Sequence, residues 1–225
     1  MLNLEQSPAP PLNRCIGVLW YAQDPCPPHR RERVLPTGRV EVILNLARDY
    51  LLDCSDITPG RRDPPSLIVG ARSVYEVIDT SDMAGLIGIS FKLGGFAAFA
   101  GDAADLFSNR SVDLEDVWGS AARALRDQLR EISLPQARLR CLEAFLSGKF
   151  GGRAGTHPLV EGALGSFQRA PTVATVREVA RSAGLSERRF SQVFREEVGL
   201  SPKAWTRVQR FQKAVRQLHA GADLP

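Results

Sequence analysis

The chain has few histidines, no paired cysteines and no long apolar run, and each shortage removes a class of function. Its four cysteines, Cys15, Cys26, Cys54 and Cys141, are scattered without a Cys-x-x-Cys pair. Neither a zinc knuckle nor a thioredoxin-like motif is therefore available, and free thiols are expected. Of the three histidines, only His29 lies in the first 150 residues, next to Pro27 and Pro28, while His157 and His219 come later. A metal site built from two or three histidines with a carboxylate has too few ligands, so no metal and no cofactor are expected. There is no Gly-x-Ser-x-Gly nucleophile elbow, and no cysteine has an evident histidine partner, which leaves an enzyme as a distant alternative. The start, Leu2 to Leu12, is polar and proline-rich, and no stretch of 18 apolar residues occurs anywhere. Neither a signal peptide nor a membrane partner is expected, and the protein should be soluble and cytoplasmic.

What is present looks globular. The chain has 225 residues, 44% hydrophobic and 24% charged, which suits one large domain or a medium one plus a small one. The net charge of +4 is unevenly placed. Residues 1–170 hold 19 basic and 20 acidic side chains, and residues 171–225 hold 10 and 5. A neutral body thus carries a basic tail, which points toward nucleic acid, although a solvated basic face would give the same count.

From Arg14 to about Phe91 the sequence runs in short apolar or alternating segments: Cys15 to Tyr21, Arg31 to Leu35, Val40 to Leu46, Leu67 to Val69, Val74 to Ile78 and Leu86 to Phe91. These predict strands. Breaks such as Pro36-Thr-Gly38 and Asp63-Pro-Pro65 leave little room for crossover helices, so the sheet should be mainly antiparallel, in a small barrel or sandwich. After Gly94-Gly95 the periodicity is helical, over Phe96 to Ala100, about Leu114 to Ile132 and Pro135 to Leu146. On the second of these, Val117, Trp118, Ala121, Leu125 and Leu129 are expected on one face. The glycine-rich run 149–156 lacks phosphate-loop spacing and is expected to be a linker.

Residues 176–195 predict a helix-turn-helix. Ala180 is small where two helices cross, Gly184 suits a positive φ in the turn, and Val179, Leu185, Phe190 and Val193 supply a shared core. Thr175 with Glu178 forms a capping box, and Ser186 is placed to cap the second helix, about Ser186 to Glu197. With Phe190, Val193 and Phe194 turned inward, Arg188, Ser191, Gln192 and Arg195 form an outward stripe that suits a DNA major groove. Arginine can chelate guanine and glutamine adenine through their major-groove edges. Thr175, Arg177, Ser186, Arg189, Lys203 and Arg207 are the candidates for phosphate contacts, together with backbone amides at the helix starts. The plainer alternative is that the arginines are solvated positions on a surface helix. A further helix is expected from Ser201-Pro202 to about His219, with Gly199 before it and Gly221 ending it.

At this point the residues resemble a known family. Gly-Leu-Ser-x-Arg-x-Phe-x-x-x-Phe at 184–194, then Gly199-x-Ser-Pro202, Trp205, Arg207, Arg210-Phe211 and Ala214, look like the first half of the AraC-type DNA-binding region. That region has two helix-turn-helix units joined by a linker helix. Pro36-Thr-Gly-Arg-x-Glu-x-Ile-Leu-Asn-Leu46, Gly70-Ala-Arg72, Gly88-x-Ser-Phe-x-x-Gly-Gly95 and Asp113-Leu-x-Asp-x-Trp-Gly119 resemble the uncharacterised domain found upstream of one branch of these regulators. The resemblance implies an α+β protein with four parts. These are a mainly antiparallel, cupin-like β-barrel for sensing or dimerisation (1–93), a helical connector packed on it (94–148), a linker (149–158) and an all-α DNA-binding domain (159–225). It implies a sequence-specific transcription regulator with double-stranded DNA as partner, a small-molecule effector and a homodimer. Gln192 stands where the family commonly has arginine, so the base preference does not carry over. The sequence stops at Asp223-Leu-Pro225, where a second helix-turn-helix would begin. Either it is a piece of a longer chain or it has half a reader, and weak, salt-sensitive DNA binding by the monomer is expected.

For an effector, the polar and aromatic candidates in strand-like segments are Trp20, Tyr21, Glu41, Asn45 and Arg72. Glu41, Ile43 and Asn45 alternate against Val42, Leu44 and Leu46, which puts Glu41 and Asn45 on one face, either lining a pocket or facing solvent. A dimerisation domain without a ligand, or a ligand-binding or dimerisation protein with a crippled DNA reader, fits the same pattern.

Overall fold

The computed structural model describes residues 2–53, 60–101, 103–151, 158–169 and 175–221. Among these residues are ten strands: β1 (Leu2–Gln6), β2 (Ile16–Gln23), β3 (Arg31–Val34), β4 (Glu41–Asn45), β5 (Leu51–Asp53), β6 (Arg61–Asp63), β7 (Ser66–Val69), β8 (Glu76–Asp79), β9 (Leu86–Phe91) and β10 (Ser111–Asp113). Eight helices follow or intervene: α1 (Ala97–Ala100), α2 (Glu115–Trp118), α3 (Ser120–Glu131), α4 (Pro135–Lys149), α5 (Pro158–Arg169), α6 (Val176–Ser182), α7 (Glu187–Val198) and α8 (Pro202–His219). No helix among the described residues is long and apolar enough to cross a membrane.

The α+β class and the mainly antiparallel strands agree with the sequence reading, but the barrel does not close. The strands form a six-stranded sheet, in the order β1-β2-β9-β4-β7-β10, and a four-stranded sheet, β3-β8-β5-β6. Among the described residues each keeps two free edges, so the sandwich is the better description of the two architectures the strand pattern allowed. The pairings are antiparallel throughout. The polar, proline-rich start holds a strand as well. β1 pairs along β2, and its Leu4 packs against the core.

Strand alternation sorts the large sheet into two faces. Leu19 and Tyr21, Val42 and Leu44, Ile68, Ile87, Ile89 and Phe91 are buried on one face, beneath the helices. On the other, Trp20, Ile43, Leu67, Val69 and Gly88 look across to the small sheet, in register with one another. The expected long helix 114–132 is broken at Gly119 (φ 61°), which shifts the inward face of α3 to Ala122, Leu125 and Leu129, leaving Ala121 half-buried. Arg126 on that face is also buried. Its guanidinium donates to the Asn45 carbonyl at 2.7 Å and to Asp49 at 2.7 Å, tying α3 to the turn after β4. Cys15, Cys26 and Cys141 are free thiols, whereas Cys54, His157, most of the glycine-rich run and Asp223-Leu-Pro225 lie outside the described residues.

A 3-10 turn, Ala104–Phe107, leads into β10 and lies against Gly70. An ideal Cβ at Gly70 would stand 1.7 Å from the Phe107 carbonyl oxygen, so only glycine lets the two backbones pass. Gly70→Ala is expected to lose about 1–3 kcal/mol, read as a lower urea midpoint at unchanged slope. An unchanged midpoint contradicts this close approach.

Candidate nucleic-acid interface and inter-sheet cavity

The helix-turn-helix is built as its residue types require. The Thr175 side chain accepts from the Glu178 backbone N–H at 3.2 Å, and the Glu178 carboxylate accepts from the Thr175 N–H at 3.0 Å, completing the capping box. Those bonds hold the Glu178 carboxyl below its usual range, the Thr175 backbone N–H contributing most. Gly184 turns the chain at φ +68°, and Ser186 accepts from the Arg189 N–H at 3.2 Å to cap α7. Ala180 is fully buried at the crossing. Phe194 then packs between Phe167, Phe190 and Trp205, with ring centroids 5.9–6.2 Å apart. Val193 and Leu185 are half-buried at its margin.

Of the stripe, Arg188, Gln192 and Arg195 are exposed and Ser191 is half-buried. The Gln192 amide donates to Glu196 at 2.9 Å. The stripe does not face open solvent alone. Its four residues and Asp105, from the 3-10 turn Ala104–Phe107, line a shared hollow of about 460 Å³. The C-terminal end of α7 rests on the same turn: an ideal Cβ at Gly199 would stand 3.1 Å from Ala71 and 3.2 Å from the Ala104 carbonyl. Helix α8 is held as well, with Gln209 donating to the Thr37 carbonyl at 3.2 Å and Gln212 to the Pro36 carbonyl at 2.9 Å. Trp205 and Val208 close over Gly38. No sequence signal marked Asp105, because its role depends on a contact about 90 residues away along the chain.

The phosphate candidates are dispersed around this unit. Arg189, Lys203 and Arg207 are exposed, the last beside Leu35 and Pro36. Arg177 is held by Glu187 at 2.8 Å. Thr175 and Ser186 already spend their hydroxyl oxygens as caps, so their contribution to a phosphate would come through the helix starts they hold.

The effector candidates divide. Between the two sheets lies a cavity of about 260 Å³, and Trp20 and Glu41 both line it. The Trp20 ring lies across Gly88, where an ideal Cβ would stand 2.3 Å from the indole. The Glu41 carboxylate accepts from the Ser90 hydroxyl at 2.9 Å. Tyr21 points to the opposite face, where its hydroxyl accepts from Arg138 at 2.9 Å. Asn45 is consumed by its own turn, accepting from the Ala47 and Arg48 backbone N–H groups and donating to the Tyr50 carbonyl. Arg72 stands behind the cavity wall and bonds Glu76 at 2.8 Å and Ser111 at 2.7 Å, both of which line the cavity. Trp20 and Tyr21, taken together as candidates, thus fall on opposite faces of the sheet, and the shared face expected for Glu41 and Asn45 could not foresee the turn that takes Asn45.

Burial pushes the Glu41 carboxyl above its ordinary range, against the opposing pull of the Ser90 hydrogen bond and of Arg39. With a folded value raised above the unfolded one, this group favours the fold most below the unfolded carboxyl range. That contribution is lost as pH rises through the raised value. Glu41→Gln is therefore expected to melt above the wild type at about pH 7.5 and to converge on it near about pH 4. A wild type that melts higher at the upper pH contradicts a buried, destabilising carboxylate.

Two segments of the chain match known family models. Residues 4–113 match a domain of unknown function, DUF6597, and residues 179–225 match a helix-turn-helix domain. No curated protein matches the sequence significantly. Among solved structures, the AraC-like transcriptional activator CuxR matches at 15% identity and a TM-score of 0.26, over 89% of this chain and 74% of that one. The chain thus carries a segment similar to a helix-turn-helix domain behind a segment similar to the domain of unknown function DUF6597.

Proposed function

We propose that α7 reads base edges in the major groove with Arg188, Ser191, Gln192 and Arg195, and that the N-terminal sheets control this reading. Arg177, Arg189, Lys203 and Arg207, with the amides capped by Thr175 and Ser186, take phosphates on either side and fix the register. Control comes through a small effector in the inter-sheet cavity. A homodimer brings two such readers to one site, and affinity rises steeply with the number of phosphates neutralised. Two copies would place their α7 helices in half-sites about 34–36 Å apart.

The observation that carries this reading is the hollow shared by the four stripe residues and Asp105. A major groove about 12 Å wide is largely filled by one helix. The turn Ala104–Phe107 therefore occupies space that a duplex needs, and Asp105 sets a carboxylate where base edges and phosphates would approach. In this arrangement the reader is held closed. Opening moves α7 off the turn, and a ligand that favours the open arrangement raises DNA affinity by its preference for that state.

The test uses a duplex selected by this protein from a random pool, with binding followed by fluorescence anisotropy. Arg188→Ala and Arg195→Ala are each expected to weaken binding by about 1–3 kcal/mol and to relax preference at one or two base positions. Lys203→Ala should weaken all sequences alike and lower the salt slope by about one. Asp105→Asn should tighten binding. Unchanged affinity and preference in an Arg188→Ala, Arg195→Ala double variant would overturn the assignment of the stripe.

A further inference from the structure

The inter-sheet cavity is apolar over most of its surface, yet its polar groups are almost all acids: Glu41, Asp63, Glu76, Asp79 and Asp82 line it, and among the described residues no lysine or arginine does. Four of these carboxylates are answered from outside the cavity. Asp63 pairs with Arg61, Glu76 with Arg72, Asp79 with Arg30 and Asp82 with Arg48. Glu41 differs. Among the described residues Arg39 attracts it only from beyond ion-pair distance, and its one hydrogen bond comes from the Ser90 hydroxyl. A carboxylate in an apolar surround, with a single neutral donor, carries a desolvation penalty that a positive charge would relieve.

Two further features point the same way. Asp82 is 5% exposed, and its Oδ1 has no hydrogen-bond partner, since Arg48 stands 3.6 Å off. The Trp20 indole covers Gly88, on the inner face of the sheet that carries Glu41 on the strand beyond. An indole face is the best aromatic partner for a cation, and the attraction grows once water is excluded. The volume sets the size. An apolar cavity of about 150 Å³ takes benzene, so about 260 Å³ takes a body of roughly ten heavy atoms.

We infer that the cavity binds a small apolar cation, an amine or quaternary ammonium on a hydrocarbon body, with its charge between the Glu41 carboxylate and the Trp20 ring. This deepens the effector reading above and rests on it only for the consequence for DNA. The site itself stands on the cavity and its charges. The ligand's charge also explains why a carboxylate without an ion-pair partner within reach is kept in a wall that apolar residues would otherwise fill.

The test is calorimetric titration of the whole chain with three probes of matched shape: benzyltrimethylammonium, its uncharged carbon isostere neopentylbenzene, and the anion phenylacetate. The cation is expected to bind at least about tenfold tighter than either of the others. Glu41→Gln should remove about tenfold or more of that affinity. Trp20→Leu should weaken the cation more than the neutral isostere, and urea midpoints show that both variants fold. Equal or tighter binding of the neutral probe, no binding of any probe, or a Glu41→Gln variant that keeps the preference would overturn the inference. DNA affinity is measured in parallel with and without benzyltrimethylammonium. Cation binding that leaves DNA affinity unchanged keeps the site and overturns effector control.

Discussion

Where α7 ends, Gly199 turns the backbone at φ +88° and brings it against Ala71 and the Ala104 carbonyl so closely that a Cβ would crowd both. This contact decides how the two halves of the chain relate. It places the outward stripe of α7 beside Asp105 instead of in open water, and it does so through backbone, which yields less than side chains do. The glycine serves two ends at once. It closes the helix, its N–H bonding to the Arg195 carbonyl at 2.8 Å, and it lets the N-terminal sheets approach the reader.

The same contact lies close in the chain to the cavity. The turn Ala104–Phe107 is followed three residues later by β10, whose Ser111 lines the cavity and bonds Arg72. On the other side, Val34 of β3 lines the cavity, and the next residues, Pro36 and Thr37, hold α8 through their carbonyls. A change at the cavity wall thus has two short, packed routes to the helices that carry the DNA-facing residues. Under the proposed control, these are the segments whose two arrangements an occupant would weigh against each other.

Local rules were legible wherever they act over a few residues. The capping box Thr175–Glu178, the Ser186 cap, Gly184 in the turn and the inward Phe190 and Phe194 all follow from spacing and side-chain chemistry, and the helix-turn-helix follows from them. Alternation along β4 likewise set Glu41, Ile43 and Asn45 against Val42 and Leu44, but it could not say that Glu41 lines a cavity while Asn45 closes a turn. The sequence was silent where partners lie far apart along the chain. The open sandwich in place of a closed barrel depends on which strands pair, and the short apolar runs do not encode that. β1 was hidden because Leu2 and Leu4 alternate within a segment whose prolines suggested a lead-in. Arg126 reads as a surface helix residue until Asn45 and Asp49 are seen to receive it. Asp105 has no local mark at all.

The central claim is that the turn Ala104–Phe107 and a DNA duplex compete for the same side of α7. Hydrogen exchange of the whole chain, with and without the selected duplex, measures both surfaces in one experiment. The account predicts that amides of α7 gain protection on binding DNA while those of residues 104–107 lose it, because the turn is released. Protection at residues 104–107 that stays the same in the bound state would contradict the claim, since the reader would then engage DNA without leaving its seat.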